Sequence, residues 1–186
     1  MTNVTDVSEA LKYNRTVSSD GTCYYHNNQG QLHREDGPAV IWPSGAQRWY
    51  HNGKLHRIDG PAVKHANGAV RWYQDDKLHR EDGPAIWKPE GCLAWYLYGR
   101  LHCVDGPAIS EDGTLEWWRE GQRHRTDGPA VIWDDGGKEW WQSDLRHRED
   151  GPAVVCSDGS EGWFLRGVAY SKCEFAALSH EKRACA

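Results

Sequence analysis

Apolar and polar positions along this chain return on a fixed beat. The run Ala39-Val40-Ile41-Trp42 is followed by a polar turn at Ser44-Gly45, an aromatic pair at Trp49-Tyr50 and a second polar turn at Asn52-Gly53. The same order recurs over residues 62–76, 85–99, 108–121, 130–144 and 153–167. The runs are short, bounded by turn residues and rich in β-branched and aromatic side chains, as strands are. No segment between residues 20 and 170 sustains a helical period. The pattern therefore predicts a β-hairpin in every repeat, with successive hairpins joined as a meander.

Two turn series punctuate it. The first is Ser44-Gly45, Asn67-Gly68, Glu90-Gly91, Asp112-Gly113, Asp135-Gly136 and Asp158-Gly159. Its Asn-Gly and Asp-Gly pairs favour the positive φ angles of a type I′ turn. The second is Asn52-Gly53, Asp75-Asp76, Tyr98-Gly99, Glu120-Gly121, Ser143-Asp144 and Arg166-Gly167. Between the series runs a refrain, "LHREDGPAV" at Leu32 in its fullest form. Its histidines, His33, His56, His79, His102, His124 and His147, step by 23 residues with one step of 22. Proline starts a strand because it cannot donate to a ladder, so Asp-Gly-Pro reads as the corner where each hairpin begins. Adjacent strand residues point to opposite faces. The pairs headed by Trp49, Trp72, Trp95, Trp117, Trp140 and Trp163 should then form two aromatic rows, ring packed on ring.

These elements predict an all-β fold: an elongated single-layer antiparallel sheet of stacked ~23-residue β-hairpin repeats with a short C-terminal capping helix. The repeat array spans 20–170. Residues 1–19 form an N-terminal cap or disordered segment, with "VSEALKY" as the capping stretch. Residues 171–186 form the helix, because Ser171 and Glu174 make a capping-box pattern and Phe175 and Leu178 share one face.

Composition narrows the function. The chain has 186 residues, 11 of them Trp and 8 Tyr against a single Met, so its core must be aromatic and thin. A net charge of −5 argues against nucleic acid or an anionic membrane as partner. No run is long enough to span a bilayer, and the N-terminus lacks the apolar stretch of a signal peptide. The six cysteines form no metal-like spacing and read as reduced thiols of a cytoplasmic protein.

The stretch "WYHNGKLHREDGPAVIWPSG" resembles the MORN repeat, and looks closer to the variant MORN-like repeats of bacterial antitoxin-type and phage or large-virus proteins. The resemblance covers residues 20 to 170. It departs from the common form where Arg34, Arg57, Arg80, Arg125 and Arg148 replace a glycine after the histidine. It implies a β-sheet used for protein–protein contact.

Candidate chemistry is weighed against that background. Six copies of His-x-x-Asp give six equal sites and no tuned constellation of nucleophile, base and orienting group, so no catalytic residue, cofactor or metal is expected. Histidines a full repeat apart lie too far from one another to share an ion. The candidate binding residues are the arginine row Arg34, Arg57, Arg80, Arg125 and Arg148, and the extra tryptophans Trp42, Trp87 and Trp133. The arginines form either a solvated ion-pair ladder with the refrain aspartates or an anion-reading strip. Cys103 interrupts the row in the fourth refrain, and the same repeat is one residue short before Gly113. The expected function is that of a non-enzymatic interaction protein, acting as an inhibitor, adaptor or antitoxin-like factor of phage or bacterial kind. Its partner is a protein, with a homodimer through a sheet edge as one form. The alternative is a binder that sequesters a nucleotide or other anion on the arginine and aromatic strip.

Overall fold

The computed structural model describes residues 12–184. The fold is all-β apart from one C-terminal helix, and its antiparallel sheet is open. The chain divides into two compact units, one reaching to Glu90 and including Tyr96–Gly99, the other made of Gly91–Trp95 and everything from Arg100 onward.

In the first unit the strands Asn14–Val17, Cys23–His26, Val40–Ile41, Gln47–Arg48, Val63–Lys64, Val70–Arg71 and Ile86–Trp87 pair antiparallel in chain order. In the second the order is Leu93–Ala94, Ile109–Glu111, Thr114–Glu116, Val131–Ile132, Lys138–Glu139, Val154–Val155, Glu161–Leu165 and Val168–Tyr170. Every repeat but the last contributes a second hairpin outside this ladder, such as Tyr50–His51 with Lys54–Leu55 and Trp141–Gln142 with Leu145–Arg146. In the last, that hairpin is Glu161–Leu165 with Val168–Tyr170 within the ladder. The repeat is thus two hairpins rather than one. The second hairpins are tied rung to rung by backbone bonds, Gly53 N to Leu32 O at 2.8 Å and Asp144 N to Arg123 O at 3.1 Å among them.

Turn chemistry accounts for this division of labour, and it reverses an expectation. Both central residues of the second turn series have positive φ, as at Asn52 (49°) and Gly53 (81°) or Ser143 (50°) and Asp144 (60°), so the type I′ turns are here. Where glycine is missing, aspartate compensates: Asp76 Oδ1 accepts the Leu55 amide and Asp144 Oδ1 accepts the Arg123 amide, each at 2.8 Å. In the first series only Asp112-Gly113 is such a turn. At 42–46, 65–69, 133–137 and 156–160 the loop holds three residues and ends on a left-handed glycine. The residue missing before Gly113 converts a three-residue loop into a two-residue one without disturbing the pairing Glu111↔Thr114.

The core also differs from expectation. Among the described residues no two tryptophan rings pair. The fully buried row is the refrain alanine: Ala39, Ala62, Ala85, Ala108, Ala130 and Ala153 are each 0% exposed, with Val40, Val63 and Val131 beside them. Every one of these alanines sits at a crossing of backbone. Ala62 O accepts the Trp49 amide at 2.8 Å and Ala39 N donates to Arg48 O at 2.8 Å. A larger side chain has no room at such a crossing.

The helix Lys172–Ala184 begins as the sequence indicates. Ser171 N donates to Glu174 Oε2 at 2.7 Å and Glu174 N to Ser171 Oγ at 3.2 Å, a complete capping box. Phe175, 4% exposed, packs on Trp163 at 4.8 Å. Most of the N-terminal capping stretch lies outside the described residues. Tyr13 of that stretch is buried, and its hydroxyl accepts the Glu35 amide at 3.0 Å.

Candidate functional site

Five of the six refrains build one small assembly around an arginine; the fourth has Cys103 at that position. In Arg-x-Asp-Gly-Pro the Arg125 Nε donates to Asp127 Oδ1 at 2.9 Å and its Nη1 donates to the Pro129 carbonyl at 3.2 Å. The guanidinium carbon lies 4.0 Å from the Trp117 ring centroid. Arg148 repeats this on Asp150, Pro152 and Trp140, and Arg80 on Asp82, Pro84 and Trp72. Arg57 stacks on Trp49 at 4.3 Å and bonds Asp59, while Arg34 stacks on Tyr25 at 4.1 Å and bonds Asp36. The refrain glycine lies under the cation: a Cβ at Gly128 would stand 3.0 Å from the Arg125 guanidinium carbon, and one at Gly83 2.9 Å from that of Arg80. Aromatic face, carboxylate, carbonyl and bare glycine together make a flat seat for a planar cation.

This seat turns positive charge inward and negative charge outward. The Arg125 side chain is 23% exposed and that of Asp127 is 79%. Hydrogen bonding to Arg57, Arg80, Arg125 and Arg148 holds the carboxyls of Asp59, Asp82, Asp127 and Asp150 below the usual carboxylate range. The arginines are therefore engaged with their own aspartates and rings, and at Arg80, Arg125 and Arg148 with the proline carbonyl. At Arg57 the buried Nη1 has no hydrogen-bond partner among the described residues. At 15–25% side-chain exposure the row presents little of its fork to an anion from solvent.

The refrain histidines are tied to the next repeat. The Nδ1 atoms of His33, His56, His79, His102, His124 and His147 accept the amides of Asn52, Asp75, Tyr98, Glu120, Ser143 and Arg166 at 3.0–3.3 Å. Each of these amides opens a type I′ turn. At His56 the Asp75 carboxylate also approaches Nδ1, at 3.1 Å. Burial, with His51 nearby, holds the His33 ring below the usual histidine pKa.

Within each unit, open grooves separate successive refrains. One of about 870 Å³ is lined by Arg125–Pro129, Trp140 and His147–Asp150, and one of about 670 Å³ by Arg57–Pro61, Trp72 and His79–Asp82. The fourth refrain walls a groove of about 500 Å³ with Trp117 and Arg125 opposite. None of these gathers several refrain imidazoles around one cavity.

One cluster has a metal-like donor set. Ligand atoms of His33, Glu35 and His51 lie within 4.8 Å of one another. Its chemistry argues against an ion. His33 Nδ1 already accepts the Asn52 amide, so the neutral ring carries its proton on Nε2, the atom facing Glu35 at 3.9 Å. Glu35 is itself paired with Lys12 at 2.6 Å. A metal ligand needs a lone pair where this ring presents N–H.

The extra tryptophans do not act as one set. Trp42 lies in a first-series turn with Arg48 over its ring at 5.0 Å. Trp87, in a strand opposite Val70, is 39% exposed. Trp133 is equally exposed and donates from Nε1 to Glu139 Oε1 at 3.3 Å.

That last bond belongs to an arrangement the repeat pattern did not reveal. Glu139 Oε2 accepts from Trp141 Nε1 at 2.8 Å and from Arg146 at 3.3 Å, and Glu116 Oε2 accepts from Trp118 Nε1 at 2.9 Å and Arg123 Nε at 3.1 Å. Both carboxylates are largely buried, at 13% and 14% side-chain exposure. Their signal was a joint departure from the earlier repeats. Where those have Arg48, Tyr50 and Leu55, these have Glu116, Trp118 and Arg123.

No protein-family model matches the chain, and no curated protein matches it. Among the described residues no helix is long and apolar enough to cross a membrane.

Proposed function

We propose that this chain is a non-enzymatic interaction module, an inhibitor, adaptor or antitoxin-like factor that docks a protein partner along its refrain loops. The observation that carries this reading is the inward cation and outward carboxylate of the five arginine refrains. The side chains that look catalytic, histidine, arginine and aspartate, are occupied with holding one repeat to itself and to the next. What they leave at the surface is a recurring series of open grooves edged by carboxylates and by loop-tip residues such as Ile58, 80% exposed, and Val104, 66% exposed. Repeated grooves of one kind suit an extended protein surface with basic groups at intervals. The resemblance to MORN-like repeats of antitoxin-type and phage proteins points the same way. The competing reading, sequestration of a nucleotide, needs arginine forks free to converge on phosphate, and the arginines here are engaged.

The test is affinity capture with the natural chain and with Glu81→Lys and Glu149→Lys at the loop tips, after circular dichroism has established that the variants fold. One partner held by the natural chain and released by both variants supports the proposal. A nucleotide that raises the melting temperature, with capture indifferent to the loop charges, supports sequestration instead.

A further inference from the structure

The fourth refrain keeps the backbone of the others and lacks their cation. Cys103 stands where the others have arginine, and its amide donates to Trp118 O at 3.1 Å as the Arg125 amide donates to Trp141 O at 3.0 Å. Trp95 N donates to Ala108 O at 2.8 Å, matching Trp117 and Ala130, and His102 accepts the Glu120 amide at 3.2 Å. Ala108 is as fully buried as Ala130. Only the occupant of the seat differs. A Cβ on Gly106 would meet nothing within 4 Å, where at Gly128 and Gly151 it would lie 3.0 Å from a guanidinium carbon.

The partners of that cation are in place. Among the described residues no cation lies over the Trp95 ring, although Trp117 and Trp140 each carry an arginine at 4.0 Å. Asp105 is exposed and makes no ion pair among the described residues, while Asp127 and Asp150 are paired at 2.9 and 2.8 Å. The Pro107 carbonyl corresponds to those of Pro129 and Pro152, which accept from Nη1 of Arg125 and Arg148.

We infer that the fourth refrain is a binding site for a guanidinium group supplied from outside the chain. The group lies flat on Trp95 and over Gly106, with Asp105 and the Pro107 carbonyl accepting its N–H bonds and the small Cys103 thiol leaving the entrance open. Filled copies of the same seat, at Arg125 and Arg148 in the same unit, serve as its template. Selectivity follows from shape. A guanidinium is planar and weakly hydrated and donates along two edges, whereas an ammonium is compact and strongly hydrated. The bearer is either an arginine side chain on a protein or a small free guanidinium compound. The site stands on the fold alone, so it can fail while the interaction-module reading survives, and the reverse.

The experiment follows the indole Nε1–H signals by NMR during titration with methylguanidinium, with methylammonium as the control cation. The Trp95 signal is assigned with Trp95→Phe. A saturable shift of that signal, with methylammonium about tenfold weaker, is the expected result. Cys103→Arg, which reinstates the sequence of the other refrains, abolishes the shift and raises the melting temperature, and Asp105→Asn weakens binding. A capped Gly-Arg-Gly peptide that binds at least as tightly as methylguanidinium assigns the site to a partner's arginine, and binding of the small cation alone assigns it to a free compound. An unmoved Trp95 signal, or a shift that persists in Cys103→Arg, overturns the site.

Discussion

His79 and Tyr98, nineteen residues apart, are joined twice: the Tyr98 amide donates to His79 Nδ1 at 3.2 Å, and the two rings stack at 4.1 Å. His79 is 4% exposed, which makes it the most enclosed example of a tie that every refrain histidine makes. Replacing it with leucine removes the acceptor while keeping an apolar side chain. The Tyr98 amide is left unpaired at the head of its turn, and His79→Leu lowers stability by about 1–3 kcal/mol in urea unfolding. His79→Gln, with an acceptor that can reach the same amide, recovers part of the loss.

Burial of two histidines gives the fold a pH dependence of definite sign. His33 and His65 are held below the ordinary value of 6.5, in both cases first by burial. Below that value the unfolded chain binds protons that the folded chain resists. Stability is therefore complete above about pH 6.5 and erodes as the pH falls toward the depressed values. A second loss follows at lower pH. The refrain carboxyls of Asp59, Asp82 and Asp127, held below 3.8 first by their arginine bonds, contribute above 3.8 and lose that contribution as they protonate. Melting temperature measured across this range falls in two stages, and His33→Gln reduces the first.

The shortened turn at Asp112-Gly113 supplies a contrast between two glycines. Gly113 has φ 82°, and a Cβ there would stand 3.1 Å from Asp134 Cβ. Gly45 has φ 85° and open space around the same position. Gly45→Ala incurs backbone strain alone, about 1 kcal/mol. Gly113→Ala adds the collision and loses more, which paired denaturation curves will measure.

Glu139 collects two indoles and a guanidinium on one largely buried carboxylate. Glu139→Ala leaves Trp141 Nε1 and Arg146 without their shared acceptor and lowers stability by about 1–3 kcal/mol. The Nε1–H signals of Trp133 and Trp141 move together in the variant. Independent behaviour of the two signals would show that the carboxylate does not join them.

Much of this fold was legible because local chemistry repeats and leaves little choice. Asp-Gly-Pro at a fixed step marked the corners, Trp49-Tyr50 and its copies marked strand ends, and Ser171 with Glu174 marked the helix start. Asn67-Gly68 and Asp135-Gly136 suggest type I′ turns, yet the same pairs fit a three-residue loop with a left-handed glycine, which is what they form. Loop length, not residue type, decides between them. The aromatic rows failed for a different reason. Trp49 and Trp117 meet refrain arginines rather than each other, and cation–aromatic contact across a repeat has no periodic signature separate from the refrain itself. The Glu116 and Glu139 clusters carry no periodic signal. They arise where repeats diverge.

Refrain side chains hold the repeats together, and a double-mutant cycle of Arg125 with Trp117 in urea unfolding tests this most directly. Arg125→Lys keeps the charge but gives up the flat face, and the predicted coupling with Trp117→Leu is about 1 kcal/mol or more, with an unchanged denaturant slope. Additive losses, with a folded Arg125→Lys protein as stable as the natural chain, would contradict the claim and return the arginine row to the solvent as a ligand-reading strip.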